Sequence, residues 1–281
     1  MDSILPNYMV DEFTQMSEAD FIRLLTSDNV GAITSSRISS GIESLSVDGI
    51  QATVSKTLLG SGGSKEVYDV TLYNQHYALA LPGIVDPARI IIAKWGKVLR
   101  EPANTDRLRD LGFYVNGLCK VVPAKVNGHE FPALIMKRYS DHGFPIYDSK
   151  NPQSRYHELI KQDEQVTDET ALALFVPIGI EIATLVRNGA KLGSDCINLC
   201  DINGIPHLYF NDLGAATFGE IPQGDLERYV DHYVSSALGA FVNTVAERVY
   251  RGNLYVHSMA DLGSSLQPKL VKRVMATLAQ D

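Results

Sequence analysis

Two groups of residues in this 281-residue chain have the types and spacing to do chemistry together. The first is the glycine run Gly60-Ser61-Gly62-Gly63, with Lys65 and Val67 just beyond it and Glu101 on a helical stretch further along. Glycines let backbone N–H groups come close to a phosphate, and a polyphosphate is held poorly where no cation is at hand. The second group is Asp195 and Asn198 on a polar loop, followed by Asn211-Asp212-Leu213-Gly214 at the end of an apolar strand. Side-chain oxygens of this kind suit magnesium, which keeps several waters and is shared with substrate phosphates. Each group has a bland counterpart. A tight turn also uses glycines, a surface lysine is solvated, and Asp and Asn satisfy their own backbone in turns.

The elements that would position these residues can be read from periodicity and punctuation. Residues 53–59 and 65–73 read as strands on either side of the glycine run, and Asn74-Gln75 turns the chain into a third strand, 76–81. A helix starts after Asp86-Pro87, carries Ile91, Trp95, Val98 and Leu99, and meets Pro102, which should break or kink it. Strands over 118–126 and 131–139 flank Asn127-Gly128, a strong hairpin signal. In the second half, Thr167-Asp168-Glu169 caps a helix that runs through Phe175, Ile178, Ile182 and Leu185 to Asn188-Gly189. A hairpin follows, residues 197–202 and 207–210 around Asn203-Gly204, with His207 read as structural. Helices resume at 226–250 and again after Pro268 to Leu278. A second Asp261-Leu262-Gly263 reads as a loop. Before all of this, Ser17 caps a short helix with Phe21, Leu24 and Leu25, and the serine-rich stretch 34–46 reads as a loop, either an idle arm or a phosphorylation or docking segment.

Composition sets limits on the function. Thirty-three Asp plus Glu against 25 Lys plus Arg give a formal net charge of −8. That argues against non-specific binding to nucleic acid or to an anionic membrane, so any phosphate site must be local. No segment is long and apolar enough to span a bilayer, because the greasiest stretch, 171–183, holds Pro177, Gly179 and Glu181. Cys119, Cys196 and Cys200 form no C-x-x-C pair, which favours a reducing compartment. No secretory signal opens the chain. A cytoplasmic protein is expected, with delivery into a host cell by a signal-independent route left open.

Taken in order, the strand–glycine loop–strand, the helix with a glutamate, and the polar loop and hairpin ending in an aspartate resemble the protein-kinase superfamily over residues 51 to 250. The resemblance implies an α+β, two-lobed fold: a leader over 1–50, a small antiparallel-sheet lobe over 51–140 and a compact helical lobe over 141–281. It implies ATP and Mg²⁺ as ligands. Gly60, Gly62, Gly63 and Val67 would cover the nucleotide, and Met136 in the segment 136–140 would be the hinge beside an adenine. The strand 77–82 lacks the kinase lysine, but Gly60 to Tyr68 fits the G-x-G-x-x-K-x-V-Y pattern of with-no-lysine kinases, so Lys65 takes that role. Glu101 is its natural partner, with Glu66 and Asp106 as alternatives. Asn198 and Asp212 correspond to the metal ligands and Asp195 to the base, although no His-Arg precedes it and it lies three residues before Asn198 rather than five. The divergent loop, Ala78 to Pro82 and residues 143–151 are similar to kinase-like effectors of intracellular bacteria. An atypical protein kinase acting on a protein, in a host cell on the effector resemblance, is one reading. The other is a pseudokinase that binds a partner or an enzyme that transfers another part of the nucleotide. The chain after Asp212 is short for ordinary peptide docking.

Overall fold

The computed structural model describes residues 13–61, 65–84, 87–138, 172, 175–202, 205–249 and 256–280. The protein is α+β and divides into two compact units. One comprises Met1–Thr105 and Asn116–His142, the other Asp106–Val115 and Gly143–Asp281.

The first unit is built on strands β1 (Leu45–Val47), β2 (Ile50–Gln51), β3 (Thr53–Ser61), β4 (Lys65–Leu72), β5 (Gln75–Pro82), β7 (Cys119–Val126) and β8 (His129–Lys137). They form one antiparallel sheet in the order β2-β1-β7-β8-β5-β4-β3. Asn127 and Gly128 both have positive φ and close the β7–β8 hairpin as its sequence predicts. The β4–β5 turn is one residue earlier than predicted, at Tyr73-Asn74, because Leu72 pairs with Gln75. Apolar side chains gather in two clusters. One holds Phe13, Leu45, Val70, Leu79, Val122 and Ile135. The other joins Phe21, Val30, Ile33, Trp95, Phe131 and Leu134.

That second cluster draws on residues from the first fifty as well as on the sheet. Within residues 1–50, the described part from Phe13 onward belongs to the sheet unit. Helix α1 (Glu18–Leu24) is capped by Ser17 as predicted, and β1 extends the sheet by pairing with β7. The serine-rich stretch is likewise no loop as far as Ser40, because α2 spans Ser27–Ser40. Val30, Ile33 and Arg37 are buried on one face of it, and that burial overrides the weak helix preference of serine. The hydroxyls of Ser39 and Ser40 turn back onto carbonyls four residues earlier, which suits an exposed helix face. Pro102 neither kinks nor ends a helix. The chain closes α3 (Ala88–Trp95), makes a 3₁₀ turn at Val98–Arg100, and starts α4 (Glu101–Asp110). Pro102 sits in the first turn of α4, where no intrahelical N–H is needed.

In the second unit, α5 (Val176–Arg187) leads to β9 (Ala190–Lys191), a 3₁₀ turn at Ser194–Cys196, and the hairpin of β10 (Ile197–Ile202) and β11 (Ile205–Phe210). Strand β6 (Tyr114–Val115) lies parallel to β11, and β12 (Thr217–Phe218) pairs with β9. Gly189 has φ +64, and a Cβ there would lie 2.1 Å from the Gly219 carbonyl oxygen, so only glycine fits at the end of α5. Helices α6 (Leu226–Val249) and α7 (Val256–Leu278) complete the unit, whose core includes Phe175, Ile182, Leu208, Phe210, Tyr233 and Leu270. Residues 261–263 lie within α7 and not in a loop, and α7 begins well before Pro268. Leu266 and Leu270 are buried on either side of that proline, and their packing outweighs one lost backbone hydrogen bond. The start of the predicted helix at 167–169, the turn at 203–204 and the stretch 143–151 lie outside the described residues.

Candidate functional site

In the sheet unit, β4 begins at Lys65, whose backbone pairs with Pro82 on β5. Its ammonium reaches α4: Nζ lies 3.1 Å from Glu101 Oε2 and 3.5 Å from Oε1. The two side chains are 12% and 3% exposed, so this is a buried ion pair held across 36 positions of sequence. The other two carboxylates considered for Lys65 are engaged elsewhere. Glu66 pairs with Arg37 of α2 and accepts from the Tyr68 hydroxyl at 2.7 Å, and Asp106 pairs with Arg109 on the surface of α4. The Arg37 guanidinium also donates to the Pro82 carbonyl at 2.6 Å, so α2 grips both strands next to Lys65. Burial, and the Glu66 carboxylate beside it, push the Tyr68 hydroxyl above its usual value.

Gly60 pairs with Val67 where β3 bulges against β4, while Gly62 and Gly63 lie outside the described residues. Met136 is in strand β8, opposite Ala78 on β5 and Cys119 on β7, so the segment at 136–137 is sheet rather than a linker. The next residue has an unforeseen partner. The Asn116 amide accepts from the Lys137 N–H and donates to the Lys137 carbonyl, both at 3.1 Å, and thereby imitates a strand.

In the helical unit the β10–β11 register matches Ile197 with Phe210. Asn198 therefore sits in β10, one residue inside the hairpin's open end and opposite Tyr209, and Asp212 lies two residues past the other strand. Three hydrogen bonds tie these ends together. Asn198 Nδ2 donates to Asn211 Oδ1 at 2.9 Å, the Asn211 N–H donates to the Cys196 carbonyl at 3.1 Å, and the Cys196 thiol donates to the Asp212 carbonyl at 3.2 Å. With its amide nitrogen committed to Asn211, Asn198 keeps Oδ1 as its ligand atom, which fits an oxygen-liking cation. Among the described residues no group of three or more His, Cys, Asp or Glu side chains is placed to hold a metal alone. A magnesium shared with substrate phosphates needs fewer protein ligands than that. Asp212 adopts the left-handed conformation, φ 52 and ψ 47, which is costly for a residue with a side chain and accumulates at functional sites. Asp195 is exposed in the 3₁₀ turn, with Oδ1 3.8 Å from the Cys196 sulfur. A Cβ at Gly193 would come within 2.5 Å of that oxygen.

The supporting residues were not read as such from the sequence. Tyr233 of α6 donates to the Ala190 carbonyl at 2.5 Å and accepts from the Leu192 N–H at 3.1 Å, and His232 Nε2 meets the Leu192 carbonyl at 3.1 Å. They clamp the segment leading into the Asp195 turn. Burial pushes the Tyr233 hydroxyl up to about 12. Glu181 of α5 accepts from the Leu208 N–H at 2.7 Å and meets His207 Nδ1 at 2.6 Å, which holds β11 and gives His207 a structural partner. Burial raises the Glu181 carboxyl above its usual value, against the lowering effect of Leu208 and His207. The one available signal was a glutamate within an apolar helical run.

The chain thus combines an antiparallel-sheet unit with a mainly helical one, and the candidate side chains stand on the elements described. No family model matches the chain, and no curated protein matches it. Solved structures to which it is similar include WaaP in complex with acyl carrier protein, at 11% identity and a TM-score of 0.39, covering 92% of this chain and 99% of that one. The kinase domain of PknI from Mycobacterium tuberculosis is another, at 15% identity and a TM-score of 0.31, covering 68% of this chain and 74% of that one. A point mutant of the same domain gives 15%, 0.35, 70% and 75%. Among the described residues no helix is long and apolar enough to cross a membrane.

Proposed function

We propose that this protein is an atypical, kinase-like phosphotransferase that uses ATP with magnesium and transfers the γ-phosphoryl group to a hydroxyl. The observation that carries this reading is the buried Lys65–Glu101 pair. A lysine and a glutamate on separate elements are both desolvated, a cost that their mutual attraction repays only in good geometry. The pair is therefore better read as positioning a charge than as a source of stability. Lys65 binds the phosphates with its orientation set by Glu101, while Asn198 and Asp212 hold the metal. When bound, magnesium neutralises charge developing on the transferred group. Asp195 accepts the proton of the attacking hydroxyl. A bond forms from that oxygen to the γ-phosphorus as the bond from phosphorus to the bridging oxygen breaks, and ADP leaves. The chain supplies position and charge rather than covalent chemistry. A protein acceptor or partner in a host cell is the version implied by the effector resemblance.

The test uses the full chain with γ-labelled and α-labelled ATP. Transfer of the γ-label that disappears in Asp212→Ala, with ATP–magnesium raising the melting temperature of the wild type, is the expected result. Stabilisation without transfer indicates a pseudokinase, transfer of the α-label a nucleotidyl transferase, and neither effect overturns the nucleotide reading.

A further inference from the structure

A pocket of about 560 Å³ opens within the helical unit, between the 3₁₀ turn carrying Asp195, the start of β10 and one face of α6. Its polar lining among the described residues is Ser194, Asp195, Asn198, His232, Ser235 and Ser236. The reason it exists can be read from α6. That helix turns Val230, Tyr233, Val234, Ala237 and Leu238 into the core. The neighbouring face, one position round, ends in Gly239 and Ala240, and no heavy atom lies within 4 Å of a Cβ placed at Gly239. Short side chains therefore leave room beside the carboxylate that the proposed transfer uses as its base.

The lining also limits what can enter. Among the described lining residues there is no lysine or arginine and Asp195 is a carboxylate, so these side chains favour an uncharged ligand over an anionic one. The hydrogen-bonding capacity is that of hydroxyl groups. The Ser236 hydroxyl donates to the His232 carbonyl at 2.8 Å and so keeps its lone pairs to accept. Ser194 and Ser235 can donate or accept, and Asp195 accepts only. Ile197 and Leu199 add apolar surface for C–H groups. Several hydroxyls on a carbon frame match this combination, and the volume lies within the ordinary range of small-molecule sites. We propose that the pocket binds a small uncharged polyol, and that this polyol is the hydroxyl acceptor. The first half stands on the pocket itself; the second rests on the phosphotransferase reading.

Saturation-transfer NMR on the full chain, with glycerol, sorbitol, myo-inositol, D-glucose and D-glucose 6-phosphate as probes, tests the binding without any turnover. At least one uncharged polyol gives a signal, and glucose 6-phosphate binds at least tenfold more weakly than glucose. Gly239→Leu, which fills the pocket with a better helix former, loses the polyol signal at an unchanged or higher melting temperature. Ser235→Leu on the same exposed face repeats the test should the first variant misfold. No signal from any uncharged probe, or signals unaltered in both variants, overturns the pocket. A polyol that binds but takes no γ-label from ATP overturns the transfer reading and leaves the pocket standing. γ-Label on a serine peptide with no polyol bound does the reverse.

Discussion

The sheet unit and the helical unit hold their candidate residues by different means. In the sheet unit charge faces charge: Lys65 against Glu101, and one residue further along β4, Glu66 against Arg37. These pairs join β4 to two different helices and lie almost out of water. In the helical unit the same task falls to neutral hydrogen bonds around the open end of a hairpin, with Cys196, Asn198, Asn211 and the Asp212 carbonyl as the parts. Losing half of a buried ion pair strands a charge, whereas losing a neutral bond strands only a dipole. The first site should therefore fail as a structure when altered, and the second chiefly as a site.

Glu101→Ala gives the largest effect. It takes the Glu101 carboxylate away from the buried Lys65 ammonium and lowers the unfolding free energy by about 3–5 kcal/mol, read from urea denaturation. Lys65→Met combined with Glu101→Leu recovers much of that, and a double variant no better than Glu101→Ala would break the contrast between the units. Tyr233→Phe removes a hydroxyl that bridges Ala190 and Leu192 and costs about 1–2 kcal/mol by the same measurement. Asp212→Gly moves in the opposite direction. Relief of the left-handed conformation stabilises the fold by about 1 kcal/mol while ATP-dependent labelling is lost. A destabilised glycine variant would mean that the side chain, not the backbone, holds the hairpin end.

The smallest effect is one of pH. A carboxyl raised above its ordinary 4.5 binds its proton more tightly in the folded chain than in the unfolded one. The stability Glu181 contributes is then full below that value and is lost as pH rises through the folded one. Melting temperature followed from about pH 4 to 7 should fall less steeply in Glu181→Gln than in the wild type. Identical slopes would remove Glu181 from the account of how β11 is held.

Local signals were legible where contacts are local. Asn127-Gly128, the cap at Ser17 and the β10–β11 hairpin stand where the residues predict, because each depends on backbone geometry within a few positions. The serine-rich stretch departs from its local signal because its helix is stabilised by Val30, Ile33 and Arg37 packing on distant strands, which no window of sequence contains. Residues 261–263 are helical for the same reason, since the burial of Leu266, Leu270 and Val274 against other helices decides α7. Asn116 and Tyr233 gave no signal, because their partners are backbone groups at Lys137, Ala190 and Leu192.

The sequence by itself determined which residue types were present for phosphate and metal chemistry, and the order of strands and helices that carries them. It also brought Asn198 and Asp212 to one end of a hairpin, because a turn between two strands brings the residues flanking them together, here with Ile197 opposite Phe210. It left Lys65 with three carboxylates to choose from. Only the tertiary structure decided among them. Arg37 from α2 occupies Glu66, Asp106 turns outward to Arg109, and α4 starts at Glu101, which sets its carboxylate at a helix end where it reaches Nζ. Ion pairing acts through space and is indifferent to chain distance, so the partner of a lysine is settled by what else the fold has already claimed.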